Sequence, residues 1–142
     1  MGLMMDATDL QAFLARDFGQ VAEDFVVDRV SPEELVLRLK VAGRHLRPGG
    51  TVSGPSMFGL ADVALYLAIL SRLGPVALAV TTNASMDFMR KPAAGRDVLA
   101  EARLLKLGRV LAVGDALLFS EGVAEPVARA SMTYSIPPGG TA

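Results

Sequence analysis

Asp62 is the one charged side chain between Met57 and Leu70, and the segment Ser53-Gly54-Pro55-Ser56 stands just ahead of that stretch. At helical spacing its neighbours are Phe58, Gly59, Leu65 and Tyr66, none a cation able to neutralise it. A buried carboxylate without a partner is costly, so this one implies either contact with water or a chemical task. Two readings are open: the acid marks the wet face of an amphipathic helix, or it is there for chemistry. The chain has no cysteine, which removes a thiolate nucleophile, a disulfide and any Cys-based metal site. A single histidine, His45, removes a two-histidine metal motif, so no metal is expected. Ser53 has no histidine in a local motif to activate it, and its type and place suit a helix N-cap.

The elements that must position this acid follow from the pattern around it. Pro55 suits the first turn of a helix, and the apolar run after it predicts a central helix over about residues 55–73, ended by Gly74-Pro75. Upstream, Thr8-Asp9-Leu10-Gln11 has the form of a capping box, with Leu10, Phe13 and Leu14 at helical spacing, which predicts a short helix over 8–18 on the outside of the core. Residues 25–27 and the alternating run 35–41 read as a hairpin around Ser31-Pro32, and residues 42–54 as a loop. Beyond the helix, strands are predicted over roughly 76–90, 97–106, 109–119 and 125–136. One helix between a hairpin and a run of strands is an α+β layout, with an antiparallel sheet wrapped around the helix. Residues 1–142 then make a single domain, with 1–20 as a helical extension and 137–142, rich in Pro and Gly, as a disordered tail.

Composition excludes several partners. The net charge is −1 and the basic residues are scattered, which leaves no electrostatic footprint for nucleic acid. Hydrophobic residues make up 51% and the mean hydropathy is +0.40, high enough to suggest that another copy of the chain covers some apolar surface. The longest apolar stretch is interrupted by Asp62, Arg72 and Gly74-Pro75, so no membrane helix is expected. Residues 1–6 lack a basic n-region and a long apolar h-region, and a cytoplasmic location is the default expectation.

The order of elements, together with His45-Leu46-Arg47-Pro48-Gly49-Gly50-Thr51-Val52-Ser53-Gly54-Pro55 and Leu60-Ala61-Asp62, resembles the hotdog-fold acyl-CoA thioesterases of the PaaI type, within the 4-hydroxybenzoyl-CoA thioesterase superfamily. In that family the loop before the helix commonly reads His-x-Asn, then after a short gap His-Gly-Gly, and the helix carries Leu-x-Asp or Leu-x-Glu. Both spacings are kept here. The stretch Val80 to Pro92 is similar to the family's long strand, and Gly95 and the Gly108-Arg109 turn also fit. Three positions depart from the pattern: Arg47 stands for the Asn, Ser53 for the His and Pro55 for the second Gly, while Gly54 and Asp62 are unchanged.

What the resemblance implies is hydrolysis of an acyl-CoA to a carboxylic acid and CoA, with no cofactor, CoA being part of the substrate. Gly54 would offer its backbone N–H to the thioester oxygen, and Asp62 would be the general base or the nucleophile. Thr81 matches a hydroxyl residue that helps to position water in some relatives. Arg47 is either a solvated loop cation or a donor to the carbonyl in place of the missing amide. Gly54 has a plainer reading too, as a loop glycine with an unusual backbone angle, and Thr81 as an ordinary strand former. Ser53 and Asn83 are candidate substrate contacts, and Arg90, Lys91 and Arg109 are expected near the CoA phosphates. A non-catalytic acyl-CoA-binding or scaffold protein of the same fold is the alternative.

Spacing also argues for a pair of chains. Gly54 and Asp62 lie eight residues apart on one helix, roughly 12 Å along its axis, whereas a polarising donor and a base must both lie within about 3 Å of the reacting atoms. The resemblance implies a homodimer, possibly a dimer of dimers, in which each site takes Gly54 from one chain and Asp62 from the other. The strand over 76–90 is the natural pairing edge.

Overall fold

The computed structural model describes residues 2–75 and 78–138. Six strands form one antiparallel sheet: β1 (Phe25–Val30), β2 (Leu35–Leu39), β3 (Val80–Phe88), β4 (Val98–Leu107), β5 (Leu111–Ser120) and β6 (Ala128–Ser135). Their order across the sheet is β1-β2-β4-β5-β6-β3. A long helix, α2 (Gly54–Leu73), packs on one face, and a shorter one, α1 (Ala7–Asp17), packs beside it on β1. This is the expected α+β architecture of a sheet around a central helix.

Helix α2 begins where Ser53 caps it, the Ser53 hydroxyl accepting from the Ser56 N–H at 3.2 Å, and Pro55 sits in its first turn. It ends at Gly74, whose φ of 89° and N–H bond to the Leu70 carbonyl close the last turn. By length and composition α2 could cross a membrane, but most of it is buried within the fold. It lies close on the sheet at Gly114 of β5, where an added Cβ would stand 2.6 Å from Leu65 Cδ2 and 2.7 Å from the Arg103 carbonyl.

Helix α1 departs from expectation in two ways. Its capping box is Asp6 with Asp9, two residues before Thr8-Gln11. Its stripe of Leu10, Phe13 and Leu14 is at most 1% exposed, so the helix is part of the core rather than a cover on it. With the cap supplied elsewhere, Gln11 is free to bond β1: its amide donates to the Phe25 carbonyl at 3.0 Å and accepts from the Val27 N–H at 2.9 Å. The outer edge of β1 is thereby occupied, as natural sheets require of an edge.

The other edge is β3. It pairs with β6 alone, and every residue is exposed except the half-buried Met86. Of the predicted strand over 76–90, residues 76 and 77 lie outside the described ones, and pairing runs from Val80 to Phe88. The part of the predicted tail beyond residue 138 also lies outside them.

Candidate active site

Asp62 projects from α2 toward the start of β3. Its Oδ1 accepts from the Thr81 hydroxyl at 2.6 Å and lies 2.7 Å from the Tyr134 hydroxyl, which is also 2.8 Å from the Asp62 backbone carbonyl. The carboxylate is half-buried, so it is neither the unpartnered buried acid the helix alone suggests nor a freely solvated one. Thr81 and Tyr134 are direct cross-strand partners on the face toward α2, and this register brings both hydroxyls to one oxygen. Tyr134 is 1% exposed. Burial, and then the Asp62 charge beside it, push its phenol well above the ordinary value of 10.0, so it is a neutral donor throughout the working pH range.

Tyr134 is the site residue that the sequence reading misses. In sequence it is one more aromatic at an inward position of an alternating strand, and nothing local sets it apart from core filler.

The second cluster gathers at the other end of β3. Gly54 is the first residue of α2, and its N–H bonds to no other group among the described residues. Its φ is not positive, so the glycine is not there for an unusual backbone angle. A Cβ at this position would instead stand 3.5 Å from the Phe88 ring, in the space beside the helix N-terminus. That space is a cavity of about 320 Å³, where Arg47, Arg90 and Lys91 share the walls with Gly54, Met57, Phe88 and Met89. Arg47 is carried by a tight loop in which its N–H bonds to the Thr51 carbonyl at 2.8 Å, with Gly49 and Gly50 at the tip at φ 104° and 87°. Arg90 donates to the Pro126 carbonyl at 2.9 Å, and neither Arg47 nor Lys91 has an ion-pair partner among the described residues. Free cations around a helix N-terminus make an anion-attracting pocket.

Other predicted residues fall elsewhere. Asn83 is turned away by a bulge: Thr81 pairs with Tyr134 but Asn83 with Thr133, so Thr82 is the extra residue and the side-chain alternation flips. Asn83 therefore shares the outer face of the sheet with Ser85 and Asp87, and does not face Asp62. Arg109 sits in the β4–β5 turn beside the start of β3, at the end of the sheet opposite Arg90 and Lys91, so one chain does not bring the three cations together. Ser53 acts as the cap of α2. His45 is a loop clamp: its Nδ1 accepts from the Ala42 N–H at 2.9 Å, its Nε2 faces Asp24 at 3.3 Å, and its carbonyl accepts from the Ser53 N–H at 2.8 Å. A larger cavity, about 620 Å³, lies on the outer face of the sheet but touches neither Gly54 nor Asp62. Its arginines are already paired, Arg129 with Asp87 at 2.8 Å and Arg103 with Glu34 at 3.3 Å, so the smaller cavity is the better candidate.

Thus the chain places a carboxylate held by two hydroxyls at one end of β3 and a helix N-terminus with cations at the other. The family model of the thioesterase superfamily matches residues 49–127, from just after Arg47 to the residue before β6. A solved structure of a candidate thioesterase from a Silicibacter species is 62% identical, with 96% of this chain and 94% of that one covered at a TM-score of 0.90. A variant of the phenylacetic acid degradation protein PaaI from Thermus thermophilus is 34% identical, with 84% and 98% covered at 0.70. Zebra fish thioesterase superfamily member 2, at 23% identity, 92% and 98% coverage and 0.81, shares the fold. No curated protein matches the chain.

Proposed function

The chain belongs to the thioesterase superfamily and is a thioester hydrolase, and from that premise we propose that its substrate is an acyl-CoA, cleaved by water at a site shared between two chains. The observation that carries the substrate class is the cavity at the start of α2, where the free Gly54 N–H shares walls with Arg47, Arg90 and Lys91. Anionic phosphates suit those cations by charge-assisted contacts, and Met57, Phe88 and Met89 give the acyl chain an apolar wall. With the thioester oxygen on the Gly54 amide, negative charge develops where the helix N-terminus favours it. Asp62, held by Thr81, then acts at the carbonyl carbon, either taking a proton from the attacking water or attacking in its own right.

The pairing of chains is read from β3. Its nine residues carry one cluster at each end, Thr81 beside Asp62 and Phe88 beside Gly54. A two-fold axis at the middle of this open edge sets the start of one strand against the end of the other, so each Asp62 meets the partner's Gly54. The same operation brings the end of the sheet that carries Arg109, where β3 starts, toward the partner's Arg90 and Lys91. Leu78, Val80, Phe88 and Met89, all at least 45% exposed, are the apolar side chains such a pairing covers.

The test is a thiol-release assay over short, long and aromatic acyl-CoAs, each with its phosphate-free acyl-N-acetylcysteamine counterpart. Replacing Arg90 and Lys91 by alanine is expected to raise KM for CoA esters by roughly tenfold, an effect that fades with salt, while barely changing the truncated thioesters. Equal losses on both substrate types overturn the CoA assignment. Arg47→Ala is expected to slow the single-turnover step on a saturating acyl-CoA by about tenfold if the guanidinium polarises the carbonyl, and Arg47→Asn to retain most of the rate. A rate within error for Arg47→Ala leaves Gly54 as the sole donor.

A further inference from the structure

We infer that Tyr134 is a positioning residue for the hydrolysis: with Thr81 it holds Oδ1 of Asp62 and so leaves Oδ2 as the oxygen that acts at the thioester. The inference rests on the role proposed for Asp62 and deepens it.

The geometry around one carboxylate carries the argument. A carboxylate has two oxygens and about four acceptor sites. Here two hydroxyls converge on Oδ1, at 2.6 and 2.7 Å, and none reaches Oδ2 among the described residues. Tyr134 also lies 2.8 Å from the backbone carbonyl of the same residue, so its single phenolic oxygen ties the Asp62 side chain to its own backbone. Such a contact selects one χ1 rotamer, and the Thr81 bond from the facing strand fixes the plane of the carboxyl group. Both bonds are made to a charged acceptor and are short, as charge-assisted bonds are. A reacting atom has to be met within a few tenths of an ångström, which is the precision this arrangement supplies.

A purely structural reading of Tyr134 is poorer. A phenol that is 1% exposed must satisfy its hydroxyl, and besides Oδ1 it reaches the Asp62 backbone carbonyl at 2.8 Å and the Met132 sulfur, a weak acceptor, at 3.6 Å; with one proton to give, it favours the charged oxygen, which is also the nearest at 2.7 Å. A phenylalanine would fill the same volume of core without that need. The hydroxyl is not a proton-transfer group either, because burial and the Asp62 charge keep its proton in place. Its role is to donate and to hold.

The experiment compares Tyr134→Phe with the wild-type protein on whichever thioester the panel shows to be turned over fastest. The expected result is kcat lower by roughly tenfold with KM within about twofold, because the lost contact is to the reacting group and not to the substrate. The polar groups facing Asp62 are Thr81 from β3 and Tyr134 from β6, and at helical spacing on α2 it has Phe58, Gly59, Leu65 and Tyr66. Should Tyr134→Phe fail to fold, 4-aminophenylalanine at 134 keeps the ring and a weaker donor, and kcat should again fall severalfold with KM unchanged. Wild-type kcat in a folded Tyr134→Phe protein, or in the 4-aminophenylalanine protein, overturns the inference. A fully active Asp62→Asn protein is a different result, since it removes Asp62 from the reaction altogether.

Discussion

Asp62→Asn is expected to lower kcat for thioester hydrolysis by at least about a hundredfold while the protein stays folded. The substitution leaves the shape of the side chain and an amide oxygen that accepts from Thr81 and Tyr134, so the two hydroxyls keep a partner. What is lost is the negative charge, and with it both the ability to take a proton and the ability to attack a carbonyl. Because Asp62 is half-buried and held by two donors, no gain in stability is expected from removing its charge, in contrast to a buried unpartnered acid. Thiol release at saturating substrate, read beside a thermal melt, decides the matter. Unchanged turnover in a folded variant would falsify the role of Asp62.

Much of this site is legible in the sequence because its parts sit on one helix. Asp62 stands out against an apolar run, and Gly54 precedes it by a count that converts directly into a length. That count separates the two groups, whereas their placement at the two ends of β3 is given only by the fold. The order of strands and the turn positions are readable too, since alternation and Gly or Pro punctuation are local signals. Three features escaped, two of them set by how strands pair. Tyr134 meets Asp62 across 72 residues of chain, through a pairing of β3 with β6 that no periodicity reports. The bulge at Thr82 inserts one residue without leaving a mark in the pattern, and so Asn83 reads as an inward neighbour of Thr81 when it faces outward. Likewise, Thr8 to Gln11 meets the composition of a capping box, yet Asp6 and Asp9 take that role and release Gln11 to close the edge of β1.

Closing that edge has a functional consequence, because it leaves β3 as the open side of the sheet and makes exchange of half-sites between chains testable. On the shared site proposed above, Asp62→Asn dimers lack the acid, and Gly54→Val dimers have the space beside Phe88 filled where the carbonyl oxygen would dock. Neither protein alone is expected to hydrolyse the thioester. When the two are unfolded together and refolded, random reassortment makes about half of the dimers mixed. In a mixed dimer one site receives both defects, and the other receives the intact Asp62 of one chain with the intact Gly54 of its partner. Activity is therefore expected to return to roughly a quarter of the wild-type level, one good site in four over the whole population. A site built within a single chain predicts no recovery, since every chain then carries its own defect whatever its partner. Native mass spectrometry of the refolded mixture fixes the heterodimer fraction independently, so that absent activity in the presence of heterodimers places Gly54 and Asp62 in one chain or in separate reactions.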